Sequence, residues 1–176
     1  EGLALLDAIA DMGTKVCVLS GGDPLKRADL LDLIRHGKSR GLRMATIPAA
    51  TPLLTREVVQ ALKEVGLDQM ALSLDASTLE AHDQFRGVPG AFQKTMEAIQ
   101  WTHEVQLPIQ INSVMSQHNF ADVDPLIELV QQLGIVFWEV FFLVPVGRGA
   151  DIPGLSAEQY EQVFAKLYRV ARSAPF

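Results

Sequence analysis

The chain has 176 residues, 48% of them hydrophobic, and a formal net charge of −6. That size and apolar share suit one soluble domain with a substantial core, and the mild acidity leaves no basic footprint for nucleic acid. No run is long and apolar enough to cross a bilayer and no signal-peptide pattern is seen. Cys17, the only cysteine, excludes an intrachain disulfide and fits a reducing, cytoplasmic setting.

In chain order, Leu3, Leu6, Ile9 and Ala10 recur at helical spacing up to Gly13. The chain thus begins inside an apolar helix-like pattern and stops abruptly at Phe176, which reads as a fragment. Val16 to Ser20 reads as a short buried strand. Ser20-Gly21-Gly22-Asp23-Pro24 then forms a strand-to-helix turn. Its glycines let backbone approach a ligand closely, and the Asp23 carboxylate accepts hydrogen bonds from an ammonium group. A phosphate cradle would place Lys, Ser or Thr where Asp23 stands, so the turn suits a positively charged ligand group. The plain alternative is a βα turn in which Asp caps a helix and Pro starts it.

Leu30, Leu33 and Ile34 mark a helix face, and Arg43 to Pro48 a second strand. Thr55 caps a helix through Val58, Ala61, Leu62 and Val65, closed at Gly66. Gln69 to Asp75 is a third strand. Ser77 with Glu80 forms a capping box, and a longer helix follows Gly87 and Gly90 through Phe92, Met96 and Ile99. Ile109 to Met115 is a fourth strand. Asp124-Pro125 opens a helix faced by Leu126, Leu129, Val130 and Leu133. Val136 to Val144 is a fifth strand, and Ser156 with Gln159 caps the last helix, lined by Tyr160, Val163, Leu167 and Val170.

Strand and helix alternate roughly every thirty residues, the βαβ pattern of a parallel sheet with right-handed crossovers. Met70, Leu72 and Leu74 share one face of the third strand, and Gln69, Ala71, Ser73 and Asp75 the other. In the fourth, Ile109 and Ile111 oppose Gln110, Asn112 and Ser116. A sheet covered by helices on both faces should be apolar on both. The polar second face points instead to an α/β part-barrel with a polar ligand on its inner wall and chemistry at the C-terminal strand ends.

On these residues the chain resembles the radical S-adenosylmethionine (SAM) superfamily. Gly21-Gly22-Asp23-Pro24 is similar to that superfamily's Gly-Gly-Glu-Pro motif, and Ser73-Leu74-Asp75 to its ribose motif. His82-Asp83-Gln84-Phe85-Arg86-Gly87 with Gly90-Ala91-Phe92, and Val144-Pro145-Val146-Gly147-Arg148-Gly149, resemble the branch that modifies peptides or builds haem and pyrroloquinoline-type cofactors. The motifs keep the family's order over nearly the whole chain.

The resemblance implies a partial (β/α)6 TIM-like barrel, with strands two to six present and residues 1–176 forming a single core fragment. It implies that Gly21, Gly22 and Asp23 bind the SAM amino group, through backbone carbonyls and the Asp23 carboxylate. Ser73 and Asp75 would bind the ribose, Arg86 the SAM carboxylate with its guanidinium fork, Asn112 would face the cofactor, and Val144 backbone would flank adenine. Asp23 stands for the more usual Glu, with a shorter reach. The implied activity is reductive cleavage of SAM to a 5′-deoxyadenosyl radical that removes a substrate hydrogen, in peptide maturation or tetrapyrrole and cofactor biosynthesis. The implied partners are a small-molecule or peptide substrate and an electron donor such as ferredoxin or flavodoxin.

One departure stands out. The family holds a 4Fe–4S cluster on C-x-x-x-C-x-x-C, and such clusters need thiolates. Cys17 alone cannot supply them. The cluster loop and its strand are expected upstream of Glu1, any further domain beyond Phe176, and no catalysis from this chain alone. The alternatives are a noncatalytic part-barrel binding SAM or a partner, and another (β/α) barrel enzyme. Against the latter, Lys15 lies at the wrong strand end and Gly147-Arg148-Gly149 is a poor phosphate nest. Read plainly, Asp83 and Arg86 make a surface i, i+3 ion pair, the four histidines are surface or loop residues, and Cys17 is a small buried hydrophobe.

Overall fold

A computed structural model describes residues 1–147 and 150–176. The elements alternate as expected: α1 (Gly2–Asp11), β1 (Val16–Leu19), α2 (Leu30–Ser39), β2 (Arg43–Thr46), α3 (Arg56–Glu64), β3 (Gln69–Ser73), α4 (Leu79–Arg86), α5 (Ala91–Glu104), β4 (Ile109–Met115), α6 (Val123–Gln132), β5 (Phe137–Phe142) and α7 (Ala157–Ser173). The five strands form one parallel sheet in the order β1-β2-β3-β4-β5. Sequential order with a helical crossover between neighbours is the connectivity of a partial TIM-like (β/α) barrel, so the fold class is α/β.

The chain groups into two compact units, residues 1–72 with 94–110, and residues 73–93 with 111–176. In the first, Ile34, Leu42, Met44, Leu62, Met70 and Ile109 are almost wholly buried. Gly37 lets α2 lie close over β2, since a Cβ there would stand 2.3 Å from the Met44 sulfur. Asp68 links β2 to β3: its Oδ2 accepts from Met44 N at 2.7 Å, and its backbone N donates to Met44 O at 2.9 Å. Lys38 Nζ reaches the same carboxylate at 2.7 and 2.8 Å. In the second unit, Leu74, Ile111, Met115, Leu126, Val130 and Val163 form the core.

Four local expectations change. β1 is not buried: Val16 and Val18 are 51% and 49% exposed, and among the described strands β1 pairs only with β2. Only Leu6 of α1 is buried. The cap of α4 is Thr78, whose hydroxyl accepts from Ala81 N, while the Ser77 hydroxyl and N–H both go to Asp122. Helix α6 starts two residues earlier than Asp124-Pro125 implies, at Val123 behind Asp122. Pro125 still falls in the first turn, where helix N–H groups lack intrahelical acceptors. The caps at Thr55 and Ser156 stand as expected, the latter as a full capping box.

Candidate functional site

In the first unit, the end of β1 is pinned to β2. Thr46 Oγ1 donates to Leu19 O at 2.9 Å, and Ile47 N donates to the same carbonyl at 3.2 Å. The chain then enters the glycine turn. Gly21 has φ +123°, in the region that favours glycine, and a Cβ on Gly21 or Gly22 would meet nothing within 4 Å. Exposed backbone thus lines open space. Asp23 caps a 3₁₀ turn begun by Pro24, accepting from Leu25 N at 3.1 Å. Its other oxygen accepts from Thr51 Oγ1 at 3.0 Å. The Asp23 carboxylate therefore braces the loop at 49–51, and backbone is the turn's open feature.

In the second unit, the polar chemistry concentrates at the ends of β3 and β4. Ser73 is half-buried at the end of β3, and no hydrogen bond to its hydroxyl appears among the described residues. Asn112 is nearly buried in β4. Asp75, two residues beyond Ser73, is fully buried. Its carboxylate accepts from Arg86 Nε at 2.5 Å and from Val114 N at 2.9 Å. The family resemblance implies a ribose contact for Asp75 and a ligand carboxylate for Arg86; the structure pairs the two with each other. Arg86 keeps 34% of its side chain exposed, with the guanidinium 6.0 Å from the Phe85 ring centroid. The expected Asp83–Arg86 ion pair gives way. Asp83 instead accepts from Gly90 N and Phe92 N at the start of α5, which lowers its pKa.

Two further residues, Asn119 and Ser113, complete this network. Asn119, 4% exposed, donates from Nδ2 to Asp75 O at 2.7 Å and Val114 O at 2.8 Å, and accepts at Oδ1 from Ser116 N at 2.8 Å. Ser113 Oγ donates to Leu74 O and accepts from Trp138 Nε1 at 2.9 Å, tying β5 to β4 and β3. Asn119 follows the strand in an irregular loop, and only the folded chain shows what it meets.

His82 corrects the expectation of a surface histidine, being 1% exposed. Its Nδ1 accepts from Asp75 N at 3.1 Å. That nitrogen must therefore be bare, so its 3.7 Å approach to the Asp75 carboxylate is not an ion pair. The proton of the neutral ring sits on Nε2. Burial pushes the His82 pKa down, against a smaller upward pull from Asp75. The unfolded chain then binds a proton that the folded chain refuses, so stability falls as pH drops below the ordinary imidazole range. Urea unfolding across that range is expected to show this loss in the wild type and a smaller one in His82→Gln. Equal pH dependence in both would remove His82 as its source.

Val144 lies just after β5, 67% exposed, behind a Leu143 N–Met115 O hydrogen bond of 2.9 Å. Arg148 and Gly149 of the late glycine motif lie outside the described residues. His118 is exposed and lines a 240 Å³ cavity with Phe85, Gln84 and Ile152. Among the described residues no group of three His, Cys, Asp or Glu side chains could hold a metal. Cys17 is half-buried, its thiol pKa raised by burial. These residues do not fit a 4Fe–4S cluster. No helix among them is long and apolar enough to cross a membrane. The open glycine turn, by contrast, is a backbone cradle of the kind a small cationic ligand group needs.

The sequentially ordered parallel sheet, with its helical crossovers, defines an α/β part-barrel. The profile of the Radical SAM superfamily matches residues 1–134, and the chain belongs to that family. It is 36% identical over 174 residues to the AdoMet-dependent heme synthase of Methanosarcina barkeri, covering 99% of this chain and 50% of the relative. It is 34% identical over 133 residues to the PqqA peptide cyclase of Rhodopseudomonas palustris, covering 76% and 35%. The structure of Streptococcus suis SuiB bound to S-adenosylmethionine superposes with a TM-score of 0.81 at 16% identity, over 98% of this chain and 41% of that one. The chain thus spans half the length of the heme synthase or less of the other two.

Proposed function

We propose that this chain is the SAM-binding core of a radical SAM enzyme acting in tetrapyrrole or other cofactor biosynthesis. The observation that carries the tetrapyrrole reading is the heme synthase match over 99% of the chain. Peptide maturation is the second reading, favoured by the peptide cyclase match over 76% of the chain. When bound, SAM would supply the radical chemistry for removing a hydrogen from the substrate.

The chain's own task is to bind and orient. In the first unit, carbonyls of Gly21, Gly22 and Asp23 would accept from the SAM amino group, with Asp23 holding the turn in shape through Thr51 and Leu25. In the second unit, the Ser73 hydroxyl and Asn112 would meet the ribose. The outer edge of Arg86 would take the carboxylate, and backbone at Val144 would flank adenine. Asp75 is already engaged by the protein. Cluster thiolates would have to come from cysteines outside these residues, with an electron from a ferredoxin- or flavodoxin-type donor. The 176-residue chain alone is not expected to catalyse.

The test is SAM binding and 5′-deoxyadenosine release by the anaerobically reconstituted full-length protein. Gly22→Val is expected to weaken SAM binding by about tenfold or more, since side-chain bulk enters the open backbone cradle. An iron tetrapyrrole bearing carboxylate side chains is expected to stimulate 5′-deoxyadenosine release more than a precursor peptide does. Absence of SAM binding by the wild type would end the proposal, and stimulation by peptide alone would replace the substrate reading.

A further inference from the structure

Every polar atom of Asp75 is held by the protein. Its N–H donates to His82 Nδ1 of α4, and its C=O accepts from Asn119 Nδ2 in the loop after β4. One carboxylate oxygen accepts from Val114 N of β4, and the other from Arg86 Nε at the end of α4. Its exposed surface is 0%. Both partners of the carboxylate make charge-assisted bonds, and with no surface exposed a ribose hydroxyl could reach it only if the groups packed over it moved.

The geometry points to a positioning role for Asp75 in place of a ligand contact. We propose that its carboxylate clasps α4 to the ends of β3 and β4, and so presents the Ser73 hydroxyl and the outer edge of Arg86 to SAM. Ser73 closes β3 two residues before Asp75, the spacing that shares a face in extended chain. Its placement is therefore fixed by whatever fixes Asp75. Arg86 gives Nε to the clasp, which orients the planar fork and leaves its far edge for an anion. The role rests on the reading of this unit as SAM-binding, and the clasp itself can be tested without SAM.

The experiment uses full-length holoenzyme, with SAM and its 2′,3′-dideoxyribose analogue as probes. Asp75→Asn is expected to weaken both by the same factor, about tenfold. The loss is also expected to be non-additive with that from Arg86→Gln. If the Asp75→Asn effect disappears with the dideoxy analogue, Asp75 touches the ribose hydroxyls and the proposal is overturned. Should Asp75→Asn fail to fold, Arg86→Lys keeps the charge and loses the Nε donor. The clasp then predicts that amide exchange at Val114 in the SAM-free protein speeds up by about tenfold, as the shared carboxylate is released. Unchanged exchange there would mean that no clasp exists. A protein that binds neither probe but shows the faster exchange would retain the clasp and lose the SAM reading.

Discussion

Asn119→Asp is expected to destabilise the protein more than Asn119→Ala, although aspartate is the closer match in shape. Asn119 Nδ2 lies 2.7 and 2.8 Å from the carbonyl oxygens of Asp75 and Val114. Alanine leaves those carbonyls and Ser116 N–H short of a partner inside the protein, at about 2–3 kcal/mol. Aspartate places an oxygen against two oxygens, and the folded chain tolerates it only by protonating it, at about 3 kcal/mol or more near neutral pH. The sign with pH separates the two variants. A carboxyl whose folded pKa is raised is favoured by acid, so Asn119→Asp should regain stability relative to Asn119→Ala as pH falls toward about 5. Urea unfolding of both variants at the two pH values reads this directly. Parallel losses at both would show that Asn119 does not face the two carbonyls.

Asp68→Ala is the second large effect. It removes the acceptor of Met44 N–H, on a residue with 0% exposure, and the partner of Lys38. The lost backbone partner dominates, at about 1.5–3 kcal/mol. The ion pair adds little, because the Lys38 and Asp68 side chains are 34% and 27% exposed and water screens them. Asp68→Asn keeps an acceptor for Met44 N–H and should lose about 1 kcal/mol or less. Equal thermal destabilisation of the two variants would assign the effect to the charge instead.

Much of the fold was legible because it is written in local periodicity. The apolar repeats of α2, α3 and α6, the fourth strand from Ile109 to Met115, and the Thr55 and Ser156 caps all depend on neighbours within a few residues. What escaped depends on distant partners. Ser77 and Thr78 are both competent caps, and the choice is made by Asp122, which takes the Ser77 hydroxyl and N–H from 45 residues away. Arg86 has an acid three residues before it, yet pairs with Asp75, because Asp83 is drawn to the amides opening α5. His82 looks like an ordinary polar helix residue, and its buried partners, the Asp75 N–H and the Phe92 ring, lie outside its own helix. The glycine turn was readable from Gly21-Gly22-Asp23-Pro24. The partners of the Asp75 carboxylate were not, since alternation gives only its face, and Arg86 and Val114 come from α4 and β4.

The strand order also bears on how the chain acquires its structure. Each of β2 to β5 is hydrogen-bonded to the strand made just before it, and the partners Val16 and Arg43 lie 27 residues apart in sequence. Parallel pairing across such crossovers is slow, but each new strand finds its partner already made, so the sheet can grow strand by strand during synthesis. The edge at β2 is then covered by β3 as soon as α3 has emerged and turned back. Synthesis order and sheet order coincide, which shortens the time that any newly formed strand edge stays open to pairing with another chain.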